Sequence, residues 1–282
     1  MPLLNYRWQV RVANYPQDEA LVKKLTKQFT SQRMPALPSL QPLVVDGVVL
    51  MRNADRLLGV DFESGKRVWD YPWANLSGTA TSRFAGQAPS AALSMRREEL
   101  KQRLWDDAAY GQLSSDGQAV YFVDDLGFAT SNRSNVTVLA RGRLRSSPGI
   151  PKTHNTLVAL ALRSGEKRVE GKLRWLIGGV NGEDEPKLAG VFFLGAPLPR
   201  DGKLYVLAEV NSEIRLIVLD AETGALQWYQ QLAHVDDRNI LVDPGRRLAG
   251  ASPSYAGGVL VCPTSAGAVV AVDLARRCLL WG

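Results

Sequence analysis

Side chains that could carry out chemistry are sparse in this sequence of 282 residues. Only two histidines occur, His154 and His234, and eighty positions of mostly polar context separate them. A zinc site needs several clustered ligands, and a Ser-His-Asp triad needs a histidine beside its nucleophile. We therefore expect both histidines to be surface residues.

Three acidic pairs offer the oxygen ligands that calcium prefers, but none has the alternating spacing of an EF-hand loop. We interpret them as solvated turns. The pairs are Asp106-Asp107, Asp124-Asp125 and Asp236-Asp237.

The two cysteines, Cys262 and Cys278, are sixteen positions apart and cannot form a disulfide framework. Cys262 lies in an apolar run, which is typical of a buried free thiol. The sequence also lacks the G-x-x-x-x-G-K-[ST], G-x-G-x-x-G and G-x-S-x-G signatures of nucleotide-binding proteins and hydrolases. We predict no catalytic, cofactor-binding or metal-binding residue.

The charge and hydrophobicity of the chain exclude further classes. A net charge of +6 permits only weak attraction to acidic partners. The densest basic stretch, Arg133 to Lys152, has no aromatic residue on which a base could stack, so we expect no nucleic-acid partner. No apolar run approaches the roughly 20 residues of a transmembrane helix, and no secretory signal is visible.

A sequence repeat predicts the strands and turns that would position these residues. Each of four copies reads as turn, apolar run, turn, apolar run, acidic or glycine turn, and tryptophan. The copies lie near residues 42–73, 113–178, 195–232 and 250–282. Trp175, Trp228 and Trp281 follow one another at intervals of 53 residues, and Trp69 precedes Trp175 by twice that distance.

Eleven positions define this repeat, and we assign them structural roles. They are Trp8, Asp61, Gly65, Trp69, Gly165, Trp175, Asp220, Gly224, Trp228, Asp273 and Trp281. Trp8 has the same local context as the other tryptophans and is interpreted as the outer strand of a further repeat. We expect each tryptophan to bury its ring against an adjacent blade.

The apolar runs indicate the fold class. They are apolar at successive positions, as in VVLM and LYVL, and such runs indicate sheets that are covered on both faces. Sheets stacked face to face around a channel supply that environment, so we predict an all-β propeller with about four visible blades. Two helical insertions are expected. One lies near residues 17–33, where Leu21, Leu25 and Phe29 are four positions apart and form one apolar face, and the other lies near residues 89–109. A long mobile loop is expected from Thr130 to His154.

The segments GVDFESGKRVW, IVLDAETGALQW and VAVDLARRCLLW resemble the pyrroloquinoline-quinone-like (PQQ-like) propeller repeat. Quinoprotein dehydrogenases and the outer-membrane assembly lipoprotein B family share this repeat. Longer stretches such as LAGVFFLGAPLP look similar to large propeller proteins of planctomycete-type bacteria. The resemblance implies one propeller domain over residues 1–282 that is part of a longer propeller, with further blades outside this chain. The alternative is a four-bladed ring that the Trp8 strand closes by completing the last blade.

The resemblance leaves several functions open. Quinoprotein dehydrogenases use adjacent cysteines, a calcium ion and an aspartate base, and this sequence has no adjacent cysteine pair. The leading hypothesis is a non-catalytic scaffold of the cell envelope or periplasm that binds protein partners and needs no cofactor. One alternative is part of a quinone-dependent dehydrogenase, with pyrroloquinoline quinone and calcium. Another is the sensor module of a multidomain protein.

Overall fold

A computed structural model describes residues 7–11, 13, 15–71, 89–124, 136–140, 143–147, 153–164, 167–236 and 240–282. The chain forms two compact units, Met1–Asp106 and Asp107–Gly282. Gly165 and the acidic residues Asp125 and Asp237 lie outside the described residues. The single domain over residues 1–282 stays a prediction.

The described strands are short and antiparallel. Their bounds are β1 Leu43–Val45, β2 Val48–Arg52, β3 Leu57–Asp61, β4 Arg67–Tyr71, β5 Ser114–Ser115, β6 Ala119–Asp124, β7 Val136–Ala140, β8 Arg143–Ser147, β9 Thr156–Ser164, β10 Lys167–Gly178, β11 Gly182–Glu183, β12 Phe192–Phe193, β13 Leu198–Arg200, β14 Lys203–Val210, β15 Glu213–Asp220, β16 Leu226–His234, β17 Ser254–Ala256, β18 Val259–Pro263, β19 Val269–Asp273 and β20 Cys278–Trp281.

Four of the sheets have the meander order of propeller blades. Blade 1 is β1-β2-β3-β4 in the first unit. In the second unit, blade 2 is β5-β6-β9-β10-β11, blade 3 is β12 or β13 with β14-β15-β16, and blade 4 is β17-β18-β19-β20. The remaining strands, β7 and β8, pair only with each other among the described residues.

Two hydrophobic cores that the structure describes in the second unit lie between consecutive blades. On β14 of blade 3, Leu204 and Val206 contribute to a core with blade 2, while Tyr205 and Leu207 contribute to a core with blade 4. Successive side chains of a strand point to opposite faces. Both faces of blade 3 are therefore buried, which explains the unbroken apolar runs.

Tight hairpin turns join the inner strands at the Asp-Gly pairs. Asp201 and Gly202 have φ values of 50° and 71°, and Asp46 and Gly47 have φ values of 49° and 73°. Two consecutive positive φ angles characterise the turn whose twist matches that of the flanking strands. Glycine at the second position removes the steric cost of this conformation.

In each of the four blades, the strand that carries the repeat tryptophan has one extra residue, immediately before the tryptophan. In blade 3, Leu219 pairs with Leu226 but Val218 pairs with Trp228, so Gln227 is an extra residue. The same shift occurs before Trp69, Trp175 and Trp281. Because side chains alternate with period two, a one-residue β-bulge sends the following side chain to the opposite face.

The helical insertions are confirmed. The helices are α1 Pro16–Ser31, α2 Pro89–Lys101, α3 Ala108–Gly111 and α4 Pro244–Leu248, and a π-helical turn follows α2 at Gln102–Asp106. Leu25 and Phe29 of α1 pack with Leu100 and Leu104 in the first unit. This cluster uses the apolar face that the spacing of α1 predicted.

The predicted loop from Thr130 to His154 is wrong where the structure describes it. Residues 136–140 and 143–147 pair as a hairpin, from Val136 opposite Ser147 to Ala140 opposite Arg143. The segment VTVLA carries β-branched residues that favour strands, and the polar sequence around it obscured this signal.

Candidate functional site

The histidines and acidic pairs occupy separate structural positions. His234 Nε2 lies 3.1 Å from Asp236 Oδ1, and both side chains are largely exposed. Asp107 is buried and caps α3, since its carboxylate accepts the Tyr110 N–H at 2.8 Å. Asp124 is also buried. The interpretation of the acidic pairs as solvated turns is therefore wrong for Asp107 and Asp124.

The two cysteines have opposite environments. Cys262 is fully buried in the core between blades 3 and 4, whereas Cys278 is exposed at the start of β20. Burial raises the pKa of the Cys262 thiol to about 12. A buried thiol is thus confirmed for Cys262.

This contrast predicts selective thiol chemistry. Thiolates rather than thiols react with alkylating and disulfide reagents. We expect an aromatic disulfide reagent at pH 8 to modify one cysteine per folded chain, and mass mapping to place it at Cys278. Unfolding in urea should expose the second cysteine. Rapid modification of Cys262 in the folded chain would contradict its burial between the blades.

In blades 1, 3 and 4, the aspartate that ends the third strand accepts hydrogen bonds from the turn that follows it. The Asp220 Oδ1 accepts hydrogen bonds from the backbone N–H of Glu222 and Thr223 and from the Thr223 hydroxyl. The Thr223 N–H contributes most to lowering the pKa of Asp220, and burial opposes it. Asp61 accepts the equivalent bonds from Ser64, and Asp273 accepts the N–H groups of Ala275 and Arg276.

Each such turn is a contact point for a tryptophan. In the second unit, Trp175 of blade 2 lies against Gly224 in the turn of blade 3, and its Nε1 donates to Ala221 O at 3.2 Å. A Cβ on Gly224 would lie 2.9 Å from Trp175 Cδ2. Tyr121 stacks on this tryptophan at 5.9 Å between ring centroids.

Trp8 makes the same contact within the first unit. Its ring lies against Gly65 in the turn of blade 1, and its Nε1 donates to Phe62 O at 2.8 Å. In both cases the accepting carbonyl lies three residues before the glycine. The structure thus brings together Trp8 with Gly65, and Trp175 with Gly224.

Trp228 meets a modified turn. Arg277 of blade 4 has the position that Gly65 and Gly224 hold, four residues after the aspartate, and a positive φ of 52°. Its guanidinium carbon lies 5.6 Å from the centroid of the Trp228 ring. A cation–π contact thus replaces the glycine contact at this junction.

Trp69 packs on its own blade. Its indole lies where a Cβ on Gly59, the residue opposite it on β3, would be only 2.5 Å away.

Trp281 is on the outer face of blade 4, the face opposite to its core with blade 3. Its register partners Ala271 and Val261 alternate with Val272 and Leu260, which belong to that core. Trp281 is 55% exposed, whereas Trp175 is 2% exposed. Val269, on the same face of β19 as Ala271, and Leu280, the extra residue of the bulge, are also exposed. We call Trp281, Val269 and Leu280 the blade 4 patch; these three residues are the candidate functional site.

The patch also has a free strand edge. Strand β20 ends the order of blade 4 and pairs only with β19 among the described strands. Unpaired backbone groups on an edge strand can accept another strand. The site therefore combines apolar side chains with a template for backbone hydrogen bonds.

Comparison with known proteins identifies the family. A family model described as outer membrane protein assembly factor BamB matches residues 134–281, more than half of the chain. The chain belongs to this BamB family. The BamB match covers blades 3 and 4 and the larger part of blade 2, including three of the four repeat tryptophans that end a blade. No curated protein matches the sequence significantly.

Solved structures of BamB and of quinoproteins are similar to the chain. BamB from Moraxella catarrhalis is 11% identical, with 86% of this chain and 52% of that chain covered and a TM-score of 0.46. A europium-containing methanol dehydrogenase is 11% identical, with coverages of 97% and 44% and a TM-score of 0.49. The quinohemoprotein alcohol dehydrogenase from Comamonas testosteroni is 16% identical, with coverages of 86% and 34% and a TM-score of 0.45.

The chain thus spans about half or less of the length of these proteins. Because all three TM-scores are below 0.5, the fold assignment relies on the four blade sheets and the BamB-family match. The all-β propeller of PQQ-like repeats is confirmed.

The described residues do not fit a quinone and calcium site of the kind that the resemblance implies. Within the described ranges, no three His, Cys, Asp or Glu side chains group as metal ligands. Cys262 is enclosed in a core and Cys278 is exposed, so they do not form the paired thiols of that site. That the chain needs no cofactor stays a prediction, and no reaction step through quinone is derived.

Sequence reasoning missed two buried ion-pair networks. Arg96 contacts Asp18 and Asp55 in the first unit, and Arg246 contacts Glu209 in the second. Their partners lie 37 to 78 positions apart in the sequence. The available signal was an arginine pair in a helical segment, Arg96-Arg97 and Arg246-Arg247, which also fits exposed residues.

Proposed function

We propose that this BamB-family chain is a non-catalytic interaction scaffold that binds a protein partner through the blade 4 patch. The observation that supports the proposal is the exposure of Trp281. Its counterpart Trp175 is buried against a turn of the next blade, with its indole N–H bonded there. Trp281 presents the same indole at the same register position, and it is largely exposed.

The composition of the patch favours a macromolecular partner. Clustered exposed apolar side chains on a folded protein are typical of interaction surfaces. Tryptophan is enriched among the residues that dominate binding energy at protein interfaces. The edge of β20 adds backbone donors and acceptors, which a partner strand can pair with.

The three described turns of this kind are already occupied, so they do not offer Trp281 a place on a second copy of this chain; the turn at Gly165 lies outside the described residues. Trp8 fills the turn at Gly65, Trp175 fills the turn at Gly224, and Trp228 faces Arg277. A second copy would therefore bring these three turns already in contact with a tryptophan. The proposed partner contributes a β-strand or blade with an open glycine turn that receives Trp281.

We place the scaffold in the bacterial cell envelope. The BamB family is described by a role in outer membrane protein assembly, and protein binding agrees with such a role. In the parts of the chain that the structure describes, no helix is long and apolar enough to cross a membrane.

Site-specific cross-linking tests the proposal. A photo-reactive phenylalanine analogue at Val269, an exposed patch residue, should cross-link to a defined protein from envelope extracts, and Trp281→Asp should abolish that product. The matched control has the analogue at Tyr229, an exposed aromatic on β16 of blade 3. Equal products from both positions, or products that Trp281→Asp leaves unchanged, would refute the use of this patch.

A thermal unfolding scan separates the scaffold from the dehydrogenase. A ligand that binds the native state raises the midpoint by mass action. We expect the midpoint to be the same with and without pyrroloquinoline quinone plus calcium. A rise that depends on quinone concentration would favour the dehydrogenase alternative instead.

A further inference from the structure

The first unit contains a cavity that the scaffold function does not use. Its volume is about 500 Å³, and residues of the N-terminal segment, α1, blade 1 and the end of α2 line it. Cavities that hold small molecules commonly measure roughly 300–1,000 Å³. The size therefore suits a small organic ligand.

Most of the lining is apolar. Val22 of α1, Met51 of β2 and the buried Leu100 and Leu104 contribute hydrocarbon surface. A ligand with an aliphatic or aromatic body would bury apolar area against them, which favours binding through the hydrophobic effect.

One wall of the cavity is acidic. Asp18 and Asp55 line it, and both carboxylates are bound to the guanidinium of Arg96. Asp18 accepts Arg96 Nε at 3.0 Å and Nη2 at 2.7 Å on its two oxygens. Each carboxylate oxygen has about two acceptor positions, so Asp18 retains acceptor capacity toward the cavity.

The wall carries an excess of negative charge. Glu99 also contacts Arg96, at 2.9 Å, so three carboxylates surround one guanidinium. Although burial disfavours the charged guanidinium, these carboxylates raise the pKa of Arg96, which therefore stays a cation. Four carboxylates, Asp18, Glu19, Asp55 and Glu99, thus pair with three cations, Arg96, Arg11 and Lys23, which leaves one negative charge in excess among these ion pairs.

The carboxylates are held in place before any ligand binds. The bidentate contact to Arg96 fixes Asp18, whose side chain is 5% exposed, and a fixed acceptor loses little entropy on binding. A charge-assisted hydrogen bond in such a poorly solvated position is stronger than one at the surface.

We propose that this cavity binds a small amphipathic amine, with its ammonium group at Asp18 and Asp55 and its apolar body against Val22, Met51, Leu100 and Leu104. An anionic ligand would meet an excess of like charge. A neutral ligand of equal shape would leave that excess uncompensated.

Calorimetry with three matched probes tests the charge preference in the full chain. The probes are 4-phenylbutylammonium, the neutral 4-phenylbutanol and the anionic 4-phenylbutanoate. We expect the ammonium to bind at least about tenfold more tightly than the alcohol, a difference of about 1.4 kcal/mol, and the carboxylate to bind most weakly. Equal affinity for all three, or no binding of any, would overturn the proposal.

Variants locate the site. Asp18→Asn should weaken ammonium binding about tenfold and leave alcohol binding unchanged, and Met51→Trp should reduce both by filling the cavity. Glu98→Gln is the matched control, because Glu98 is an exposed carboxylate of α2 outside the lining. Circular dichroism checks folding, and Asp55→Asn substitutes for Asp18→Asn if the latter unfolds. The assignment would be overturned if Glu98→Gln lost the preference for the ammonium over the alcohol. It would also be overturned if both aspartate variants kept that preference.

Discussion

Trp175→Ala is expected to lower the free energy of unfolding of the second unit by about 3–5 kcal/mol, the cost of truncating a large buried aromatic side chain. Trp175 is buried and contacts both Tyr121 and the turn at Gly224. The substitution removes the indole hydrogen bond to Ala221 and leaves a cavity between blades 2 and 3. Urea unfolding followed by circular dichroism measures the loss without depending on tryptophan fluorescence.

Trp281→Ala is the matched control for this effect. It changes the same residue type at the same register position of blade 4, but the side chain is exposed. Exposed substitutions usually change stability by about 0.5 kcal/mol or less. If the two variants lost similar amounts of unfolding free energy, the difference in exposure between Trp175 and Trp281 would have no effect on stability. The interpretation of the blade 4 patch would then be wrong.

Arg246→Met is expected to destabilise the second unit by about 3–5 kcal/mol at neutral pH, because it leaves a carboxylate buried without its counter-ion. Arg246 Nε donates to Glu209 at 2.9 Å, and the two side chains are 3% and 4% exposed. Arg246 also contacts Asp243, which caps α4. The pair therefore connects α4 to β14 of blade 3.

The loss should depend on pH. Burial raises the pKa of Glu209 in the folded chain, and Arg246 opposes that rise. A carboxyl group with a raised folded pKa favours folding most below its unfolded pKa and loses that contribution as pH rises through the folded value. Removing Arg246 raises the folded pKa further, so the deficit should be larger at pH 8 than at pH 4.5.

A second substitution separates lost charge from lost packing. Glu209→Gln in the Arg246→Met background removes the buried charge, so it should recover most of the stability and flatten the pH dependence. A double variant as unstable as the single variant, at both pH values, would show that packing of the arginine stem accounts for the loss instead.

Sequence alone predicted the features that depend on local chemistry. Asp201-Gly202 forms its turn because two positive φ angles require such residues, and the alternate burial of Leu204 and Tyr205 follows from strand geometry. The helix at α1 followed from the spacing of Leu25 and Phe29. The residues of each pattern are close together in the sequence, so the pattern can be recognised without knowing the fold.

Features that depend on distant partners were not predictable in this way. Arg96 meets Asp18 across 78 positions, and neither residue type indicates burial by itself. The acidic pair at Asp106-Asp107 suggested solvent, but Asp107 caps α3 and is buried. Arg277 occupies a glycine position, a substitution that sequence shows but whose contact with Trp228 requires the adjacent blade.

The β-bulge before each tryptophan makes the two faces of a blade different. Without the extra residue, Trp228 would lie opposite Ile217, which belongs to the core with blade 2, instead of opposite Val218, which faces blade 4. Contacts between blades are consequently head-to-tail: one surface donates an indole and the other offers a turn. A twofold-symmetric pair needs a self-complementary surface, whereas two blade 4 patches would bring indole against indole. Growth from this surface therefore requires a head-to-tail contact, in which the partner offers a turn to the indole.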